Sequence, residues 1–242
     1  MNLDLSIIIL ARNEADNLKK LIPGIQSIMV KLSLSYEILI IDGRSNDETV
    51  QVAMQFGVRV VIQDQPGYGY AFLLAFKEAR GDYVLNIDAD CSHNPQFIKI
   101  LWAWHAPNRM VIASRYIPNG KAEMPMIRRI LSIILNEVYS KAFSLPYRDI
   151  TSGFRLYHAK TIAPVLKTTS SRDFDVLLEV LIKLHLYGVE IIEVPFLYEP
   201  RLNGQSKVNL IKFGASYLKT FFAARRWLKK MVTVSCNKDR GL

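Results

Sequence analysis

The segment NIDADCSH, residues 86–93, carries the densest chemistry in the chain. Asp88 and Asp90 stand two apart at the end of an apolar run, where a strand's side chains can project the same way. Two carboxylates so placed can hold one hard divalent cation, with water and phosphate oxygens completing an octahedron. Ser92 would add a hydroxyl ligand or orient a bound water. Acidic residues also end strands and cap helices, and Ser92 or Asn94 has the chemistry to cap a helix opening at Pro95. The same few residues allow either reading, and Asp42, at the end of an earlier apolar run, tilts the balance towards the cation.

Three further groups have chemical potential. Gly67-Tyr68-Gly69 forms part of a dinucleotide fingerprint, but the later glycine is Phe72. It is either a turn and helix start or a place where backbone approaches a ligand phosphate or sugar. Arg128, Ser132 and Asn136 are spaced by four, so they line one stripe of a helix whose flanks, Ile127, Ile130, Leu131, Ile134 and Leu135, are apolar. A polar stripe facing a core is costly unless it meets a ligand or partner, whereas a stripe facing solvent needs neither. The four histidines and two cysteines show no zinc-ligand spacing, and two cysteines make no disulfide framework. The cysteines read as thiols in a reducing compartment.

These residues need elements to position them. With 242 residues, half of them hydrophobic and 22% charged, the chain reads as one large domain with a sizeable core, which excludes general disorder. Strands are predicted at Leu5–Leu10, Tyr36–Ile41, Val58–Ile62, Asp82–Ile87 and Arg109–Ser114. Helical spacing falls between them at Glu14–Val30, Asp47–Phe56 and Tyr68–Ala79. Near-continuous apolar strands alternating with helices predict a doubly wound, mostly parallel sheet flanked by helices. Ligands of such sheets bind outside the carboxyl ends of the strands. Arg12-Asn13-Glu14, Asp42 and Asp88–His93 fall there. The second half predicts helices at Met126–Phe143 and Phe174–Tyr187, and strands at Gly153–Tyr157 and Val189–Val194. On a wheel of the terminal segment Lys207–Met231, Lys207, Lys212, Lys219, Arg225, Arg226, Lys229 and Lys230 fall within an arc of about 140°. Ile211, Leu218 and Phe222 interrupt that basic side.

The formal charge of +9, from 31 basic and 22 acidic residues, suits an anionic partner: nucleic acid, membrane surface or phosphorylated substrate. No stretch approaches the roughly 18 apolar residues of a membrane span, and MNLDLSIIILARNE lacks the pattern of a secretory signal. The expectation is a cytoplasmic protein, soluble or peripheral.

Taken together, the motifs resemble family 2 glycosyltransferases of the GT-A fold, and most closely the polyprenol-phosphate glycosyltransferases. SIIILARNEADNL resembles the family's opening strand, usually Pro-x-Tyr-Asn-Glu, with Leu10 for the proline and Arg12 for the aromatic. IIDGRSNDET resembles D-D-G-S-x-D-x-T, with Gly43 for the second aspartate. GYGYAFLLAFKEARGDYVLNIDADCSH, ASRYI, DITSGFRLY and EVPFLYEPRLNGQSK follow in the family's order.

The resemblance implies a GT-A domain over 1–206, an amphipathic helix over 207–231 and a tail over 232–242. It implies an inverting transfer of one sugar from a nucleotide diphosphate sugar, of GDP-mannose or UDP-glucose type, to a polyprenyl or dolichyl phosphate. The site would be the cytoplasmic membrane face, reached peripherally or through a separate membrane subunit. Asp88, Asp90 and Ser92 would hold Mg²⁺ or Mn²⁺. Asn13, Glu14, Asp42, Gly67, Gly69 and Asp88 would bind the nucleotide. Asp88, Asp90, Arg115 and Arg128 would be catalytic. Arg128, Ser132, Asn136, Ser152, Arg155, Arg201 and Lys207 would receive the acceptor phosphate. A rival within the family transfers to a sugar hydroxyl and needs a base, for which Asp149 is the candidate. Binding of nucleic acid is not expected, since the strand-end carboxylates would repel its phosphates without a metal.

Overall fold

The computed structural model describes residues 3–201 and 210–239. The opening strand β1 (Leu3–Ala11) is buried along most of its length because helices cover both of its faces. Leu5, Ile7 and Ile9 share a core with Leu18, Ile22 and Ile25 of α1 (Ala15–Leu32). Ile8, pointing the other way, shares a second core with Ala71 and Ala75. The alternation continues through β2 (Tyr36–Asp42), α2 (Thr49–Gln55), β3 (Arg59–Ile62), α3 (Tyr68–Glu78) and β4 (Gly81–Asp88). A single 3-10 turn, Pro95–Phe97, is capped by the Asn94 side chain, which accepts from the Gln96 amide. It leads into α4 (Ile98–Ala103) and β5 (Arg109–Ser114).

The second half adds β6 (Lys121–Ala122), α5 (Met126–Phe143), β7 (Arg155–His158), α6 (Ala159–Thr168) and α7 (Val176–Leu186). It ends with β8 (Glu190–Pro195), β9 (Leu197–Tyr198) and α8 (Leu210–Asp239). The main sheet has the order β3-β2-β1-β4-β7-β5-β8. Only β7 runs antiparallel, against both β4 and β5, so the sheet is mostly parallel as the sequence predicts. A short apolar run carries no signal of direction, and the reversal of β7 was not legible. Strands β6 and β9 pair separately. Helix α6, which contains Pro164, was not anticipated.

Helix α7 is buried on all sides, as an apolar helix inside a domain must be. Its two charged buried residues pair: Lys183 Nζ lies 2.6 Å from Glu179 Oε1, and Glu179 also accepts from the Ser170 and Ser171 amides. The terminal helix runs past Met231, and its predicted start at Lys207 lies outside the described residues.

Candidate active site

Strand register places the site. Ala11 pairs with Asp42 and Leu10 with Asp88, so the carboxyl ends of β2 and β4 flank the end of β1. β1 is where the strand order reverses, and a crevice opens at such a point in a doubly wound sheet. Here it is a cavity of about 680 Å³, within the range of small-molecule sites. One side is lined by Arg12, Glu14, Gly43, Arg44 and Gln63, the other by Tyr68, Asp88, Asp90, Asp173, Phe174 and Arg201.

The two loops that follow β1 and β2 are stitched together. The Asn13 amide donates to Ser45 Oγ at 2.8 Å, the Asn46 amide to Asn13 Oδ1 at 2.8 Å, and the Glu14 amide to Thr49 Oγ1 at 2.9 Å. Asp42 is buried and both its oxygens serve Ser45, accepting from the amide at 2.9 Å and from the hydroxyl at 2.5 Å. The Asp42 carboxylate thus organises the turn that follows it. Asn13 likewise ties the loops, while Glu14 lines the cavity.

Asp88 and Asp90 come together as predicted, but in different settings. Asp88 sits on the cleft floor with 37% of its side chain exposed. The cleft walls withdraw it from bulk water, and this desolvation raises its carboxyl above the ordinary value against the opposing pull of His93. Asp90 is buried. Its Oδ1 accepts from the Ser92 amide at 3.0 Å and the Ser92 hydroxyl at 2.5 Å. Its Oδ2 lies 2.8 Å from Arg201 Nε, an ion pair whose N–H is not aligned for a hydrogen bond. Ser92 is fully buried, which places it behind Asp90 as a support, not in the cleft as a ligand. His93 supports Asp88: its Nδ1 accepts from the Asp88 amide at 3.1 Å, and Nε2 lies 3.5 Å from Asp88 Oδ2. Its ring stacks on Phe154, and burial lowers its pKa, which favours the neutral imidazole with the proton on Nε2.

Gly67 and Gly69 make their close approach to protein, not to ligand. A Cβ on Gly69 would stand 2.6 Å from the Arg172 Cα, and one on Gly67 would stand 2.6 Å from the Arg172 carbonyl oxygen. The Gly69 amide donates to that oxygen at 2.9 Å. Tyr68 then stacks on Phe174, centroids 4.4 Å apart. The glycine pair clamps the 170–175 segment, and so Asp173 and Phe174 form a wall of the cleft.

The predicted acceptor residues divide. Arg155 is fully buried and donates to three carbonyls, those of Ser152, Leu177 and Ile150, at 2.7, 2.7 and 2.6 Å. Ser152 is buried and its hydroxyl accepts from the Phe154 amide. Neither reaches a ligand, which corrects both assignments. Arg115 forks onto Asp149 at 2.8 and 2.7 Å and donates to Thr151 Oγ1 at 2.8 Å. Burial opposes its charge, but Asp149 holds it firmly protonated. Arg115 is therefore a structural partner of Asp149, not a catalytic group. Ser132 pairs with Thr151 at 3.0 Å. Asn136 accepts from the Ile150 amide and leaves Nδ2 without a partner. Arg128 is exposed near the start of α5, and Lys207 lies outside the described residues.

The glycosyl transferase family 2 profile matches residues 6–163. This chain belongs to glycosyl transferase family 2. It is 31% identical to the dolichol-phosphate mannosyltransferase of Pyrococcus furiosus over 92% of its own length, and spans 64% of that relative. It is 28% identical to the Saccharomyces cerevisiae protein of the same name, covering 91% of this chain and 92% of that one. Among solved structures it resembles the Mycobacterium tuberculosis glucosyl-3-phosphoglycerate synthase in complex with Mn²⁺, UDP and glucosyl-3-phosphoglycerate. The TM-score is 0.70 at 19% identity, covering 92% of this chain and 78% of that one. That likeness establishes the shared GT-A fold.

The chain's donor set fits a hard divalent cation. It offers two carboxylates at a strand end, and no cluster of three or more His, Cys, Asp or Glu forms among the described residues. Phosphate oxygens and water would complete the coordination. The Arg201 guanidinium resting on Asp90 shows that a positive charge is accommodated there. Sequence reasoning gave no role to His93, Arg44, Gln63, Asp173 or Phe174. The pattern gave no signal for the last two, which only the Gly67–Gly69 clamp brings to the cleft.

Proposed function

We propose that the transferase moves a single sugar from a nucleoside diphosphate sugar to a polyprenyl phosphate at a membrane face, with inversion at the anomeric carbon. The observation that carries this reading is the state of Asp149. It is fully buried, both oxygens are engaged by Arg115, and its carboxyl is held below the usual range. Burial opposes that shift, and the Arg115 charge and hydrogen bonds outweigh it. A carboxylate so committed is a poor general base. An acceptor that arrives ionised needs none: a phosphate monoester carries about −1.5 to −2 charges near neutral pH.

In this reading the Arg12–Gln63 side of the cleft takes the nucleoside, and Asp88 and Asp90 face the diphosphate. A divalent ion, Mg²⁺ or Mn²⁺, bound by those two carboxylates would supply Lewis-acid neutralisation of the leaving diphosphate. An acceptor phosphate oxygen forms the new bond to the anomeric carbon as the old carbon–oxygen bond breaks towards the diphosphate, and no proton is transferred. Arg201 and Arg128 supply positive charge on this chain's side of the exchange, and Ser132 of α5 shares a hydroxyl contact with Thr151. The names of the Pyrococcus and Saccharomyces relatives support a dolichyl-type phosphate acceptor and mannose as a donor sugar to test first. Mn²⁺ and Mg²⁺ complexes of the Mycobacterium synthase support the choice of ion.

The test is a panel of radiolabelled nucleotide sugars incubated with polyprenyl phosphate or with a glycan acceptor, followed by solvent extraction. The expected product is labelled lipid that is not formed in excess chelator. Label found only in the glycan would establish the hydroxyl-acceptor rival.

A further inference from the structure

Side chains alternate along a strand, so Asn86 and Asp88 of β4 point to the same side of the sheet. Asn86 is buried, and its Nδ2 donates to the Gly153 carbonyl at 2.7 Å and to the Tyr68 hydroxyl at 3.3 Å. The carbonyl can only accept, which fixes the orientation of the amide. Tyr68 is then the acceptor of its bond with Asn86, and its own proton remains for a further partner. Gly153 keeps the space clear: a Cβ there would stand 3.3 Å from Asp88 Oδ1 and 3.7 Å from Asn86 Nδ2. The phenol lies near enough to Asp88 for that charge to act on it. Burial first, and the Asp88 charge after it, raise its pKa well above the ordinary value, so the proton stays on the oxygen.

Tyr68 lines the cleft together with Asp173 and Phe174. Its ring is stacked on Phe174, and Asp173 is exposed beside that pair. The arginines around them are engaged elsewhere. Arg172 donates to the Thr169 and Ser171 carbonyls at 3.2 and 3.0 Å, and its guanidinium lies 4.9 Å from the centre of the Tyr70 ring. Arg201 rests on Asp90. This side of the cleft therefore combines an aromatic surface, one phenolic donor and the carboxylates of Asp88 and Asp173.

We propose that Tyr68, Asp173 and Phe174 seat the transferred sugar, and that the Tyr68 hydroxyl and the Asp173 carboxylate select a neutral hexose by its hydroxyl groups. The inference rests on the nucleoside diphosphate sugar donor proposed above. Such a donor is linear in its parts: nucleoside, diphosphate, sugar. With the nucleoside on the Arg12–Gln63 side and the diphosphate at Asp88 and Asp90, the sugar falls against Tyr68 and Phe174. The aromatic pair offers an apolar surface to the C–H groups of a hexose ring. Asp173 accepts from sugar hydroxyls in charge-assisted bonds, and Tyr68 donates to one. A site built to bond a hydroxyl discriminates far more sharply than an apolar pocket does. A uronic acid would bring a third carboxylate to Asp88 and Asp173, a like-charge contact that counts against it.

The test is titration calorimetry of the full chain with Mn²⁺ present, comparing GDP with GDP-mannose and UDP with UDP-glucose. One of these pairs should bind the parent. For that pair, Y68F should weaken the nucleotide sugar by roughly three- to tenfold and D173N by roughly tenfold or more. Neither should change the affinity for the nucleoside diphosphate. The matching uronate, GDP-mannuronate or UDP-glucuronate, should bind the parent at least roughly tenfold more weakly than the neutral sugar, and D173N should narrow that gap. Y68F removes a single oxygen and Asp173 is exposed, so both variants should melt like the parent. Equal losses on diphosphate and nucleotide sugar would assign both groups to the cation or the diphosphate and overturn the proposal. Unaltered binding of both ligands by both variants would overturn it too, while leaving the donor reading intact. A parent that binds neither diphosphate would fail the donor reading itself, and the sugar seat with it.

Discussion

A side chain at position 43 would meet the stem of Arg12: a Cβ built on Gly43 lies 3.1 Å from Arg12 Cβ and 3.3 Å from the Ala11 carbonyl oxygen. Two departures from the family pattern, Arg12 for an aromatic and Gly43 for an aspartate, therefore sit in contact. The tight contacts are with Arg12 Cβ and the Ala11 backbone, and Arg12 Cδ lies at 3.5 Å, so a longer side chain at 43 would lie along the arginine stem. Gly43→Asp alone should displace Arg12 from the cavity it lines and weaken binding of a nucleoside diphosphate. Arg12→Tyr together with Gly43→Asp should recover part of the loss. A double-mutant cycle on donor affinity should show a coupling of about 0.5 kcal/mol or more, as for residues in contact. Strictly additive effects would show that the two positions act separately.

The two aspartates at the end of β4 should differ when replaced. Asp88 faces the cleft, and its main neighbour, His93, binds its backbone amide as well as its carboxylate. Asp88→Asn should abolish transfer and leave the melting temperature close to that of the parent. Asp90 is buried against Ser92 and Arg201. Asp90→Asn should abolish transfer and also cost about 1–3 kcal/mol of stability, the range for a buried polar group that loses its partner. Calorimetry beside the transfer assay checks both. Full activity of either variant would remove the cation from these residues.

Much of this architecture is legible in the sequence because its signals are local. The β-branched runs ending at Ala11, Asp42 and Asp88 specify a buried parallel sheet, and parallel register puts their ends side by side. The pairing of Asp88 with Asp90 follows from their spacing. What was not legible depends on partners distant in the chain. An arginine in DITSGFRLY looks like a phosphate ligand. Only the fold brings the Ile150, Ser152 and Leu177 carbonyls around its guanidinium. The glycines at 67 and 69 read correctly as points of close approach, but the approaching group is the Arg172 backbone. The polar stripe of α5 was visible, yet spacing alone does not say that its apolar flanks would face outward.

Arg128 and Arg155, assigned one role by sequence, should behave differently. Arg128 is exposed and should be cheap to remove structurally. Arg128→Ala should raise the acceptor concentration required by roughly one to two orders of magnitude. That corresponds to a lost charged hydrogen bond of ~1.5–3 kcal/mol, and the donor requirement should change little. Arg155→Met would strand three buried carbonyls at ~1–3 kcal/mol each. It should fail to fold stably, and any folded fraction should show no selective acceptor defect. Initial-rate kinetics and urea unfolding distinguish the outcomes.

The Arg115–Asp149 pair bears both on stability and on the class of reaction. The folded state holds Asp149 below its ordinary value of 3.8, so it favours the ionised form. The stability this contributes is present above that ordinary value and is lost as pH falls through the folded pKa. Glu179, lowered from 4.5 by its bonds to Lys183, Ser171 and Ser170 against the cost of burial, acts with the same sign. The parent should therefore lose stability progressively below about pH 4.5. Asp149→Asn takes from the buried Arg115 guanidinium its counter-charge and one of three acceptors, and should cost ~3–5 kcal/mol at neutral pH. The gap between variant and parent should narrow in acid, where the parent also loses the charge. If Asp149 were the base for a hydroxyl acceptor, its loss would lower the rate of folded enzyme by ~10²–10⁴-fold. If the acceptor is a phosphate, the rate corrected for the folded fraction should fall by less than that range, with no new titration between pH 5 and 8. A folded variant that binds donor and acceptor but transfers a thousandfold more slowly would move the reaction to a hydroxyl acceptor.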